Sequence, residues 1–174
     1  MQDQFELYVS TLVINEISAG DPQAADRRLS AIQGIAILAI PDQSMDVADA
    51  LLAAKALPEK AREDALHIGI AAVQGMDYLL TWNFKHINNA HKKAQVVGVV
   101  ERFALACPVL YSPRTRRSHM TKDPIIEELH RYREAHALKY GNDLRRICEA
   151  LRKKEAQYPV VNQPPKPLSR TTVS

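Results

Sequence analysis

Asp64-Ala-Leu-His-Ile-Gly-Ile-Ala-Ala-Val-Gln-Gly-Met-Asp-Tyr-Leu-Leu-Thr-Trp-Asn83 is the stretch on which the fold turns. Its first part continues a helix that the pattern places over Glu59 to Gln74. Leu66, Ile70 and Val73 are the large apolar positions of that helix, and Ala65, Gly69, Ala71 and Ala72 permit close packing. Gly75 is a helix stop. Met76 to Trp82 then carries few polar residues, as a covered parallel strand does. Asp64 falls near a helix start and Asn83 just past a strand end. In an α/β sheet those two places share one edge, where such folds collect ligands and ions.

The same alternation runs outward in both directions. Phe5 to Ser10 is rich in aromatic and β-branched residues and reads as a strand. Thr11 to Ser18 reads as a short helix ending at Gly20. Asp21-Pro22 supplies a cap and first turn for a helix to about Ile32. Ile35 to Ile40 is a second strand, and Ser44 is the expected cap of a helix over Met45–Ala56. After the deciding stretch, Phe84 to Ala104 reads as a helix with Ile87, Ala90, Val97 and Val100 apolar, and residues 108–111 as a last short strand. Strands alternating with helices point to an α/β layered fold with a parallel sheet.

Beyond residue 111 the pattern stops. Residues 112–122 are polar and basic and read as a linker. Asp123-Pro124 opens a helical region over 123–157. Ile126, Leu129, Tyr132, Arg133 and His136 share one helical stripe there, and Leu144, Ile147, Cys148 and Leu151 share another. Residues 158–174 are rich in proline and are expected to be extended or disordered.

Charge divides the chain at the same place. Residues 1–111 hold 13 acidic and nine basic residues, a net −4, while residues 112–174 hold seven and 14, a net +7. An acidic body with a basic tail implies either that the halves attract or that the tail meets nucleic acid. In the first case an Arg or Lys lies near the carboxylates of the body. In the second the cations bind phosphate backbones without sequence preference. No helix-turn-helix signature is present. No apolar run approaches the ~18–20 residues of a membrane span, and the polar, acidic start is unlike a signal peptide. A cytoplasmic location is expected. Cys107 and Cys148 are far apart and read as inert thiols in a reducing compartment. His86 and His91 have no zinc spacing with either cysteine.

Taken alone, Glu16 reads as a solvent-facing helix residue and Asp64 as a surface residue favoured by the helix dipole. His67, one turn beyond Asp64, reads as a packing residue or a hydrogen-bond partner of Asp64. Asn83 and Thr81 read as ordinary strand-end residues.

Asp64-Ala-Leu-His, Asp77-Tyr-Leu-Leu-Thr-Trp-Asn83 and His86-Ile resemble the second half of a PIN domain of the VapC-toxin type. Tyr8-Val-Ser10, Ile14-Asn-Glu16-Ile and Gly20-Asp-Pro resemble an earlier part of that family, so the resemblance spans about residues 4 to 111. It implies a Mg²⁺- or Mn²⁺-dependent endoribonuclease acting on RNA within a toxin–antitoxin pair, and commonly a homodimer. Glu16 and Asp64 map onto family acids, as catalytic residues and metal ligands. Asn83 stands where many members carry a further Asp, so it implies a weaker, neutral metal ligand. The family opens with a central strand bearing its first acid, and this chain departs from that pattern: Asp3 is in the wrong context to replace it. The expected domain, residues 1–111, is therefore a PIN-like parallel sheet lacking its first central strand, with weak metal binding. Asp123-Pro-Ile-Ile-Glu-Glu-Leu-His-Arg-Tyr-Arg-Glu through Asn142-Asp-Leu resembles the small antitoxin-like partners of such domains, which implies that two partners are joined in one chain. Two other readings stand beside the nuclease: an inactive fused toxin–antitoxin remnant serving only as an interaction protein, and an RNA-binding protein acting through its basic tail.

Overall fold

The computed structural model describes residues 5–81, 90–111 and 124–168. The described chain is mixed α/β, with seven helices and short parallel strands. Strand β1 (Tyr8–Ser10) runs directly into helix α1 (Thr11–Ile17), whose first turn is capped by the Ser10 hydroxyl. Asp21 caps helix α2 (Pro22–Ala31) with Pro22 in the first turn, as the sequence predicts. Strand β2 (Ala36–Leu38) returns parallel to β1, pairing Tyr8 with Ala36 and Ser10 with Leu38.

Helix α3 (Asp42–Ala53) starts earlier than its expected Ser44 cap, with Pro41 at the cap position. Ser44 is instead fully buried, and its carbonyl lies against Gly69 of helix α4 (Arg62–Val73). A Cβ at Gly69 would fall well inside contact distance of that carbonyl. The small residues read from the sequence thus let α3 and α4 touch backbone to backbone. α4 is buried from Ala65 through Val73 except at His67, the signature of a central helix. Gly69→Ala should therefore destabilise the fold by about 1–3 kcal/mol, despite the usual gain in helix propensity. Urea denaturation measures this; an unchanged or raised midpoint would show that the two helices separate freely.

Strand β3 (Tyr78–Leu80), helix α5 (Ala90–Glu101) and strand β4 (Val109–Tyr111) follow, with β3 and β4 parallel. Val96, Val99 and Val100 are the buried face of α5, whereas Val97, expected inside, is 37% exposed. The expected helix start at Phe84 and the basic linker 112–122 lie outside the described residues.

Helices α6 (Pro124–Lys139) and α7 (Leu144–Glu155) belong to the same core as the preceding elements. Ala137, Leu144, Ile147, Cys148 and Leu151 join one apolar cluster with α3, α4 and α5. Asp143 caps α7, and Leu144, Ile147, Cys148 and Leu151 recur at i, i+3, i+4 and i+7. Both cysteines are free, and burial raises both thiols, Cys107 to about 11 and Cys148 to about 12.

Of the two expectations for the proline-rich tail, extended or disordered, the extended one describes Val160–Val161: strand β5 (Val160–Val161) pairs parallel with the open side of β2. The segment then crosses Gly75, whose positive φ of 64° and missing Cβ admit the Pro164 carbonyl. Prolines rule out a helix here but not a short edge strand. The single sheet expected from the alternation is two sheets among the described residues, β1-β2-β5 and β3-β4. No described helix is long and apolar enough to cross a membrane.

Candidate functional site

Glu16, near the end of α1, and Glu63 and Asp64, in the first turn of α4, converge on one point. Glu16 and Glu63 are only 7% and 3% exposed. Like charges at such depth require a counter-charge. Arg133 of α6 supplies it. Its Nε donates to Glu16 Oε1 at 2.8 Å and its Nη2 to Glu16 Oε2 at 3.1 Å, a two-pronged grip on one carboxylate. Its Nη1 donates to Asp64 Oδ1 at 2.5 Å. Glu63 Oε2 lies 3.8 Å from Arg133 Nε and is buried without a hydrogen-bond partner.

His67 Nε2 lies 3.0 Å from Glu16 Oε1. It therefore serves Glu16, not Asp64, and is more than a packing residue. Burial alone would raise the Glu16 carboxyl, but His67 and Arg133 overcome it and hold the group down at about 2. Burial acts on Arg133 in the opposite sense to its carboxylate neighbours, and Glu16 and Asp64 win, raising the guanidinium further.

A second polar chain flanks this cluster. His136, one turn beyond Arg133 on α6, places Nδ1 at 2.6 Å from Glu63 Oε1 and Nε2 at 3.1 Å from Asn15 Nδ2. Lys154 of α7 donates to Asn15 Oδ1, which turns the Asn15 amide nitrogen toward Tyr132 and His136. Asn15 Nδ2 donates to the Tyr132 hydroxyl at 2.5 Å. The His136 tautomer follows: Nε2 accepts from Asn15, and Nδ1–H donates to Glu63. Burial, then Glu63 and Glu16, push the Tyr132 phenol up, so it remains protonated. Tyr132 and Tyr140 flank the His136 ring at centroid distances of 5.6 and 4.9 Å.

The structure thus joins Glu16 and Asp64, the two sequence-derived catalytic candidates, in one cluster. Asn83, the third expected metal ligand, lies outside the described residues. The Thr81 N–H donates to the Tyr111 carbonyl in the β3–β4 ladder. Glu63 and Lys154 carry no sequence-level signal for this site, and Asn15 and Tyr132 lie within quoted stretches but without a role assigned to them. Arg133 and His136 carry a partial one, because two polar residues interrupt the inward stripe of α6.

Hard divalent cations require carboxylate oxygens that are free to face them. Here both Glu16 oxygens and Asp64 Oδ1 accept from Arg133, and a fixed positive charge fills the space between them. The residues as arranged do not fit Mg²⁺ or Mn²⁺ while Arg133 is seated. Among the described residues, no group of three His, Cys, Asp or Glu side chains is placed to hold a metal ion. No protein-family model, curated protein or solved structure matches the chain.

Proposed function

We propose that this chain is a toxin–antitoxin-like fusion in which a PIN-type ribonuclease site is held shut by its own C-terminal helices. The observation that carries this reading is the seating of Arg133 on Glu16 and Asp64. An acidic site that would attract a divalent cation and an RNA phosphate is neutralised by a cation from the same polypeptide. Arg is suited to this role, because its planar fork meets a carboxylate with two donors and it stays charged when buried. α6 cannot drift away readily, since α7 and β5 anchor the same segment to the core. The shared chain makes the inhibition intramolecular, at an effective concentration beyond that of a separate partner.

The wild-type chain should neither cleave RNA nor bind Mn²⁺ measurably. Arg133→Gln should gain Mn²⁺ binding in calorimetric titration, and Glu16→Gln/Arg133→Gln should lose it again. Circular dichroism on both variants checks that the fold persists. Robust RNA cleavage by the wild type, abolished by Asp64→Ala, would overturn the inhibited reading. A folded Arg133→Gln chain that binds no divalent ion would overturn the masked metal-site reading and leave an interaction protein.

A second reading has its own observation. Arg145, Arg146 and Lys153 of α7 point to solvent, while the buried face of that helix is apolar. An outward basic face suits non-specific RNA binding, whose affinity would fall steeply with salt.

A further inference from the structure

Asn15, buried on α1, meets both C-terminal helices through one amide group. Its Oδ1 accepts from Lys154 of α7, and its Nδ2 faces Tyr132 and His136 of α6. An amide has one acceptor end and one donor end, so the Lys154 bond and the His136 bond fix each other's sense. The imidazole is equally committed. Its Nδ1–H is directed at Glu63 Oε1, 2.6 Å away, which leaves Nε2 as the acceptor for Asn15 at 3.1 Å. A proton taken up by this ring can go only to Nε2. It would then oppose the Asn15 Nδ2–H bonds, donor against donor.

We propose that His136 and Asn15 form a proton-operated latch: protonation of His136 turns the Asn15 amide over and releases Lys154, so that the polar grip on α1 passes from α7 to α6. Half a turn of the amide exchanges Oδ1 and Nδ2 and leaves the backbone in place. Oδ1 then accepts from His136 Nε2–H and from the Tyr132 hydroxyl, which keeps its proton. Nδ2 then faces the Lys154 ammonium, which has donors only. Lys154 is an exposed residue, so its ammonium moves into water at little cost. Histidine suits such a latch, because its charge changes between about pH 5 and 8. Glu63 of α4 and, beyond it, Glu16 of α1 favour the imidazolium, and Glu63 Oε2 has no hydrogen-bond partner of its own. Burial opposes it, as do Arg133 and Lys139 of α6 and Lys154 of α7. Tyr132 and Tyr140 flank the ring, while His67 and Asp64 of α4 turn to Glu16 and Arg133. The effect is reciprocal: if the proton expels Lys154, then Lys154 resists the proton. The latch does not depend on the nuclease reading, because the ring nitrogens bond Glu63 and Asn15, not Glu16 or Asp64.

Imidazole NMR of the full chain between about pH 5 and 8 tests this, with the His136 signal assigned by its loss in His136→Gln. In the wild type the Asn15 side-chain amide should change environment at the His136 midpoint. Lys154→Met should raise that midpoint by about half a pH unit or more, with unchanged circular dichroism because residue 154 is exposed. In an Asn15→Ala background the same substitution should move the midpoint far less, since the amide that couples the two groups is gone. An equal change in both backgrounds reveals plain charge repulsion and overturns the proposal. A His136 ring that does not titrate in this range, or an Asn15 amide silent at its midpoint, overturns it as well. Should Asn15→Ala fail to fold, the Lys154 ammonium of the wild type decides. A step in its nitrogen signal at the His136 midpoint supports the latch, and no step overturns it.

Discussion

Replacing Arg133 with methionine is expected to lower the folding stability by about 3–5 kcal/mol, the cost of removing one side of a buried ion pair. Methionine fills much of the arginine volume, so the loss is electrostatic more than steric. Glu16, Glu63 and Asp64 would then face one another with no guanidinium between them. Glu16→Gln in the Arg133→Met background should recover a large part of the loss, because it removes the carboxylate that Arg133 grips with two donors. Urea denaturation of the single and double variants measures both effects, and an Arg133→Met chain within about 1 kcal/mol of wild type would falsify this account of the cluster.

The same pair dictates the acid limb of stability. Glu16 titrates near 2 in the folded chain, against an ordinary value of 4.5. A depressed carboxyl contributes stability above its unfolded value, and that contribution disappears as the pH falls from about 4.5 toward 2. In that window the unfolded chain holds more protons than the folded one, so stability rises with pH. The contribution at neutral pH is on the order of 3 kcal/mol. Arg133→Met should flatten this limb, because burial, which raises the Glu16 carboxyl, is then opposed by His67 alone.

Deleting residues 159–174 is expected to cost about 3–6 kcal/mol and to make the chain aggregate. Gln74, 1% exposed, explains the magnitude. Its Nε2 donates to the Ala39 carbonyl and to Asn162 Oδ1, and its Oε1 accepts from the Gln163 N–H at 2.6 Å. The tail supplies two of these three partners. The Ala106 N–H likewise loses the Lys166 carbonyl, and Ala39 N–H loses the Val161 carbonyl. Without β5, the edge of β2 would stand open for pairing with another chain. Gln74→Met in the intact chain should cost less, because it removes donor and acceptor together. Equal stability of the truncated and full chains would show that the tail is an accessory.

Much of the architecture could be read before any coordinates, and the reasons are local. Asp21-Pro22 announces a helix start because cap and first-turn preferences depend on a few bonds within four residues. Leu144, Ile147, Cys148 and Leu151 announce a buried face because 3.6-residue periodicity is written along the chain. Gly69 was legible as a close contact in kind, but not in partner. Ser44 misled for the same reason: it has a capping side chain, yet the helix began earlier and the hydroxyl went inside. The tail was legible as non-helical, because prolines exclude a helix, but which edge an extended segment finds depends on an edge built more than a hundred residues upstream.

The acidic cluster shows the division most clearly. Family likeness singles out Glu16 and Asp64, and the charge split marks a basic half that meets either the acidic one or nucleic acid. Those properties belong to residue types and their spacing, so the sequence by itself determined them. Tertiary structure alone decided that Arg133, among 14 basic residues of residues 112–174, takes the position between the carboxylates. It alone recruited Glu63, Asn15, His136 and Lys154 into the surrounding network. Hydrogen bonds and buried charges act over about 3 Å, and contacts between residues 51 to 139 positions apart exist only after helices α1, α4, α6 and α7 have packed on one core.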